Sequence, residues 1–163
     1  MPFLQLRVLS IGLLVLILWS TSDASIDVAF SAGSSTHLSL SHGQKLVYNH
    51  VYTNEGSALN RYTGVFTCPQ SGLYMFNVFG LTQSGGSLWL ELYQNSRFIQ
   101  SVWAHTAGSY AGAGNSAILQ VNKGDTVYLS SRGTSKLYGT YNQIYATFTG
   151  YLISPVLKNF SHK

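Results

Sequence analysis

The chain has 163 residues, 45% of them hydrophobic, 13% aromatic and only 9% charged. So many rings and so few charges exclude a disordered chain, and the length suits one domain rather than two. The net charge of +4 reflects nine Lys and Arg against five acids, with no basic run, which excludes a nucleic-acid footprint.

Residues 1–24 read as a secretory signal peptide. Arg7 precedes an apolar run over 11–19, and Ser22 and Ala24 occupy the −3 and −1 positions of a cleavage site. The run is shorter than the ~20 residues a membrane-spanning helix needs. Cleavage after Ala24, secretion, and no membrane insertion of the mature chain are therefore expected.

Beyond the signal no long segment repeats at 3.6 residues, and period two recurs. A first strand is expected at 28–32, with a turn at 53–57. Gly64 and Gly72 fall where hairpins are expected to turn. Between them, the chain's only cysteine, Cys68, follows Phe66 at a strand end before Pro69. Secreted domains usually pair their cysteines, and this one has no partner in the chain. A buried free thiol acting as a small hydrophobe is favoured. An intermolecular disulfide is the alternative.

The next strand, 73–79, is apolar on both faces. Tyr74, Phe76 and Val78 point one way; Leu73, Met75 and Phe79 point the other. A half-exposed antiparallel strand should keep one polar face, so its second face is expected to be covered within the domain or by another subunit. Residues 87–94 set Leu88, Leu90 and Leu92 against Trp89, Glu91 and Tyr93. Residues 102–114, "VWAHTAGSYAGAG", read as a neutral aromatic loop. Trp103, His105 and Tyr110 are its candidate ligand-binding residues, because Trp and Tyr rings stack on sugar faces and His hydrogen-bonds hydroxyls. The plainer reading puts Trp103 in the core. Strands are expected again around 118–121 and 127–130, joined by an Asn-Lys-Gly-Asp turn at 122–125, and at 145–153. Short strands separated by Gly-rich turns imply an antiparallel sandwich or barrel. The tail, 156–163, carries the single Asn-x-Ser sequon at Asn159, an expected glycosylation site.

No catalytic constellation is visible. Of five acids, Asp23 lies in the signal, leaving Asp27, Glu55, Glu91 and Asp125 dispersed. There is no Gly-x-Ser-x-Gly elbow and no zinc spacing, and the five histidines are scattered. No enzyme, metal site or cofactor is expected.

Phe66-x5-Gly72-x-Tyr74-x-Phe76, within "TGVFTCPQSGLYMFNV", resembles the signature of the complement C1q domain. "VAFSA" at 28–32, the segment 47–69 leading into the signature with Asn60 and Gly64 at its turn, "GNSAILQVNKGDTVYLS" at 114–130 and "LYGTYNQIYATFTGYLISP" at 137–155 match further blocks in order. The resemblance implies an all-β, ten-stranded antiparallel jelly-roll sandwich over 25–155, of the kind shared with tumour necrosis factor ligands. It implies a compact trimer, homomeric or heteromeric, with Tyr74, Phe76, Tyr138 and Phe148 as core or trimer aromatics. Some family members bind calcium near the trimer top. Four dispersed acids argue against a strong site, though threefold symmetry leaves open one built from three copies of one acid. No Gly-X-Y repeat occurs in the sequence, so a stand-alone head without a collagen stalk is expected. Two roles follow: a recognition head for carbohydrate or other repeated microbial or cell-surface patterns, or a signalling or structural ligand for a protein receptor.

Overall fold

The computed structural model describes residues 27–155, so the signal segment, the 156–163 tail and Asn159 lie outside the described residues. The described chain is built from β1 (Ala29–Gly33), β2 (Leu38–Leu40), β3 (His50–Glu55), β4 (Leu59–Asn60), β5 (Val65–Thr67), β6 (Gly72–Leu81), β7 (Ser87–Gln94), β8 (Arg97–His105), β9 (Gly112–Val121), β10 (Thr126–Ser131), β11 (Ser135–Leu137), β12 (Gly139–Thr140), β13 (Gln143–Ile144) and β14 (Thr147–Pro155). Ten strands form two five-stranded antiparallel sheets, ordered β3-β1-β14-β6-β9 and β4-β5-β10-β7-β8. Two short ladders, β11-β2 and β12-β13, sit beside them. The first and last strands pair inside one sheet, with Phe30 opposite Gly150, which is the wrapped connectivity of a jelly roll.

Alternation places the core. Phe30 and Ala32 on β1, Tyr74, Phe76 and Val78 on β6, and Phe148 on β14 turn inward from the first sheet. Phe66 on β5, Leu88, Leu90 and Leu92 on β7, and Val127 and Leu129 on β10 meet them from the second. Phe66 joins the layers: its ring centroid lies 5.5 Å from Phe30, 5.4 Å from Tyr74 and 5.4 Å from Phe76. Burial of each such side chain contributes about 1.5–3 kcal/mol. Tilted and edge-on ring pairs add roughly 0.5–1.5 kcal/mol.

Tyr74, Phe76 and Phe148 are thus core residues of the single chain. Tyr138 differs from them. It is half-buried at the end of the sandwich, against His37, Tyr110 and Tyr145.

Cys68 is buried at the end of β5, and its thiol donates to the Gln70 carbonyl at 3.0 Å. Burial pushes this thiol up from its ordinary pKa, which keeps it protonated and inert. In the single chain Cys68 is only 1% exposed.

The two glycines of the signature differ in role. Gly64 turns the chain between β4 and β5 at φ +68°, and a Cβ there would strike the Leu46 carbonyl. Asn60 completes that turn by accepting the Tyr62 N–H at 2.9 Å and the Thr63 N–H at 3.2 Å. Gly72, expected as a turn, instead opens β6. It is glycine because β14 bulges towards it between Leu152 and Ser154, leaving 2.7 Å from an added Cβ to the Ser154 carbonyl oxygen.

Gly64→Ala combines a left-handed backbone with a clash against main chain. It is expected to cost about 2 kcal/mol or more, read as a lower midpoint in denaturant. An unchanged midpoint would contradict this account of the turn.

Candidate recognition surface

The outer face of the β4-β5-β10-β7-β8 sheet is built by the residues that alternate with the core. With Leu88, Leu90 and Leu92 inward, β7 presents Trp89, Glu91 and Tyr93 outward. Val102 and Ala104 likewise turn β8 so that Trp103 and His105 face solvent. Trp103 sits directly opposite Trp89 in the ladder, and Ser101 opposite Glu91. Trp103 is 59% exposed, and its ring runs nearly parallel to His105 at a centroid distance of 6.4 Å.

Glu91 lies at the centre of this face yet is buried. Its carboxylate accepts the Tyr93 hydroxyl at 2.7 Å and the Arg132 guanidinium at 2.9 Å. The bond to Glu91 holds the Tyr93 phenol proton more tightly than usual, and desolvation adds to this. Arg132 also lies 5.2 Å from the Trp89 ring centroid, and Lys45 covers Tyr128 at 4.4 Å. Tyr128 in turn stacks on Tyr93 at 5.5 Å. The cations therefore cap Trp89 and Tyr128, while Trp103 stays uncovered.

Strands replace most of the expected loop over 102–114. β8 runs through His105 and β9 starts at Gly112, leaving only 106–111 as connection. Gly114 belongs to β9 because the Phe79 ring of the facing residue lies over its α-carbon. The three candidate ligand residues are consequently split. Trp103 and His105 share a strand face, whereas Tyr110 lies in the connection and packs on Tyr138 at 5.2 Å, 78° between planes. Arg132, Trp89 and Lys45 were not candidates. Alternation signals Trp89 as outward, but nothing local ties Arg132 to Glu91, which lies 41 residues away.

The outer face of the other sheet is different in kind. Tyr151, Met75 and Ile118 form one apolar row across β14, β6 and β9, and Phe79 adds to it nearby. Ile118 and Phe79 are 54% and 53% exposed, so the described chain leaves this second face of the 73–79 strand open.

The acids do not converge. Asp27 and Glu55 line a shallow depression beside Tyr151 and Ile153. Asp125 closes the β9–β10 turn. Among the described residues no three His, Cys, Asp or Glu side chains come together to hold a metal ion, and no helix is long and apolar enough to cross a membrane.

A C1q domain model matches residues 29–153, and the chain belongs to the C1q domain family. It is 30% identical over 130 residues to mouse complement C1q tumor necrosis factor-related protein 3, covering 78% of this chain and 52% of that protein. It is 33% identical over 131 residues to zebrafish Caprin-2, covering 77% of this chain and 14% of that protein. The chain thus spans about half or less of the length of these relatives. Its fold matches the globular domain of zebrafish complement 1qA at TM-score 0.66 and 24% identity, over 78% of this chain and 98% of that one. The Eiger TNF structure from S. frugiperda matches at TM-score 0.65 and 11% identity, over 85% and 100%.

Asp125 gives a pH dependence. The Asn95 side chain and the Asn122 backbone N–H hold its carboxyl below the ordinary 3.8, with Gln94 assisting against slight desolvation. A carboxyl depressed in the folded state stabilises above its unfolded pKa, and that contribution is lost as pH falls through the folded value. Asp125→Asn is expected to be less stable than wild type at neutral pH, with the gap closing as pH drops below about 4. A gap independent of pH would show that the turn does not depend on the charge.

Proposed function

We propose that this chain is a secreted recognition head that assembles as a trimer and binds repeated carbohydrate through the outer face of the β4-β5-β10-β7-β8 sheet. The reading is carried by Trp103, an indole more than half exposed on a regular strand, with no part in the core and with His105 beside it. The exposed part of the ring gains nothing from folding. It offers a flat apolar surface to a sugar, and His105, Ser101 and Ser87 supply polar groups around it. The apolar row of Tyr151, Met75 and Ile118 supports assembly through the opposite sheet, which leaves the Trp103 face outward in each copy.

One shallow site binds weakly, because it buries few atoms against the cost of ordering the ligand. Three copies on one particle raise the effective concentration, so avidity for a repetitive surface exceeds single-site affinity by about 100-fold or more. Polysaccharide or whole-cell binding is therefore expected to be firm and monosaccharide binding poor. Trp103→Ala is expected to lower polymer binding at least about tenfold with little change in melting temperature. A glycan array on the secreted protein, with light scattering for its mass, tests both halves. A silent array with saturable binding to one cell type would favour a protein receptor, and a stable monomer would remove the avidity argument.

A further inference from the structure

The sheet face that carries Trp103 also carries charge, and the charge open to solvent has one sign. Arg132 follows β10 directly, and its main chain is held from both sides. Its N–H donates to the Trp89 carbonyl at 2.9 Å, and its own carbonyl accepts from His42 Nδ1. The side chain crosses the Trp89 ring, and Nη1 donates to Glu91. It is nevertheless 54% exposed, and among the described residues its other guanidinium N–H groups have no partner. Trp89 pairs with Trp103 on its far side, so Arg132, Trp89 and Trp103 form one row across three strands. Two strand spacings separate the backbones of Arg132 and Trp103 by about 10 Å, which is longer than one sugar ring and close to a disaccharide. Lys45 stands on the same face, bridged to Ser130. Its Nζ rests over Tyr128 and has no carboxylate partner among the described residues. The described acids lie elsewhere or are occupied. Glu91 is 4% exposed and already bonded to Arg132 and Tyr93. Asp125 is tied into the β9–β10 turn, and Asp27 and Glu55 lie beside Tyr151 of the other sheet.

We propose that this face selects acidic glycans, with the Trp103 ring taking a sugar face and the Arg132 guanidinium taking the carboxylate or sulfate of the neighbouring sugar. The inference rests on the reading of this sheet face as the glycan site, and it names the class of glycan. A neutral sugar on Trp103 leaves the free donors of Arg132 facing water. An acidic polymer lying along the row uses them, because the planar edge of a guanidinium bonds two anionic oxygens at once. Trp89 supports that plane and Glu91 anchors one corner of it, so little side-chain freedom is lost when the anion arrives. Glu91 offsets part of the attraction, but it lies buried beneath the guanidinium, and Lys45 leaves the face positive on balance. No open carboxylate among the described residues of this face repels the ligand. Each charged contact at an exposed site is weak, and repetition along a polymer and across copies of the chain multiplies it.

The test titrates the secreted protein against two matched pairs of polymers, polygalacturonate with its methyl ester and dextran sulfate with dextran, and against inorganic polyphosphate. The acidic member of a pair should bind at least about tenfold more tightly than its neutral partner, and the preference should shrink as ionic strength rises. A preference in either pair supports the proposal, and the pair that shows it tells carboxylate from sulfate. Polyphosphate has charge but no sugar face, and it should bind more weakly than the preferred glycan. Arg132→Gln should reduce the acidic-over-neutral preference at least about fivefold. Lys45→Gln, at an exposed position with no carboxylate partner, should reduce it about threefold, and it serves as the second variant if stripping Glu91 of its cation prevents Arg132→Gln from folding. Equal binding within both pairs, lost in Trp103→Ala, would overturn acid selection and leave the glycan site standing. Absence of all glycan binding, or binding that Trp103→Ala leaves intact, would overturn the sheet-face reading and this inference with it. Polyphosphate binding as tight as the glycans, or a preference indifferent to both charge variants, would also overturn the proposal.

Discussion

Phe66 is the side chain on which the arrangement turns. It comes from a three-residue strand of one sheet and reaches Phe30, Tyr74 and Phe76 of the other. That contact fixes the spacing of the sheets at the signature end, and everything outward-facing inherits its orientation from it. The neighbouring glycines serve the same contact. Gly64 lets the chain turn against Leu46 just before Phe66, and Gly150 leaves room for the Phe30 and Phe76 rings, with 2.8 Å from an added Cβ to Phe76. These are demands of packing, and they explain the signature residues without any chemistry.

Once the inner faces are spoken for, period two dictates the outer ones, and the two sheets expose different surfaces. One shows an aliphatic and aromatic row, Tyr151, Met75 and Ile118, beside a polar row of Ser31, Thr149, Asn77 and Ser116. The other shows rings already engaged with cations, and a buried carboxylate paired with Arg132 and hydrogen-bonded by Tyr93. The first is suited to association with like surfaces through that apolar row, which the single chain leaves open. The second is suited to a polar ligand with flat faces, because Trp103 stays free while Glu91 is already partnered. This asymmetry is the physical basis for assigning assembly to one sheet and recognition to the other.

Much of the fold was legible because alternation and turn residues agree with each other. The inward and outward sets of 73–79 and 87–94 are as the pattern implies, and Asn60 with Gly64 forms the expected turn. The glycine misreadings share one cause. Gly72 reads as a turn, and the glycines of 112–114 read as loop, because glycine is equally a sign of positive φ and of close approach. Only the facing strand, β14 for Gly72 and β6 for Gly114, tells which. Tyr110 reads as a companion of Trp103 through seven residues of separation along the chain, but β8 ends between them and turns the two to different surfaces. The motif implies Tyr138 as a core or trimer aromatic, and in the single chain it lies half-buried beyond the sheets against His37, Tyr110 and Tyr145. The Glu91–Arg132 pair depends on a long-range contact that carries no local signal.

The central claim is that the Trp103 face stays open in the assembled protein and is where ligand lies. The chain has three tryptophans, and Trp19 falls in the expected signal peptide, so the mature protein would report only from Trp89 and Trp103. Acrylamide quenching of tryptophan emission, measured on the assembled protein with and without a bound polysaccharide, therefore reads this face directly. The account predicts ready quenching in the free protein and clear protection once polymer is bound. Shielded emission in the free assembly, or quenching that a firmly bound polymer leaves unchanged, would contradict it.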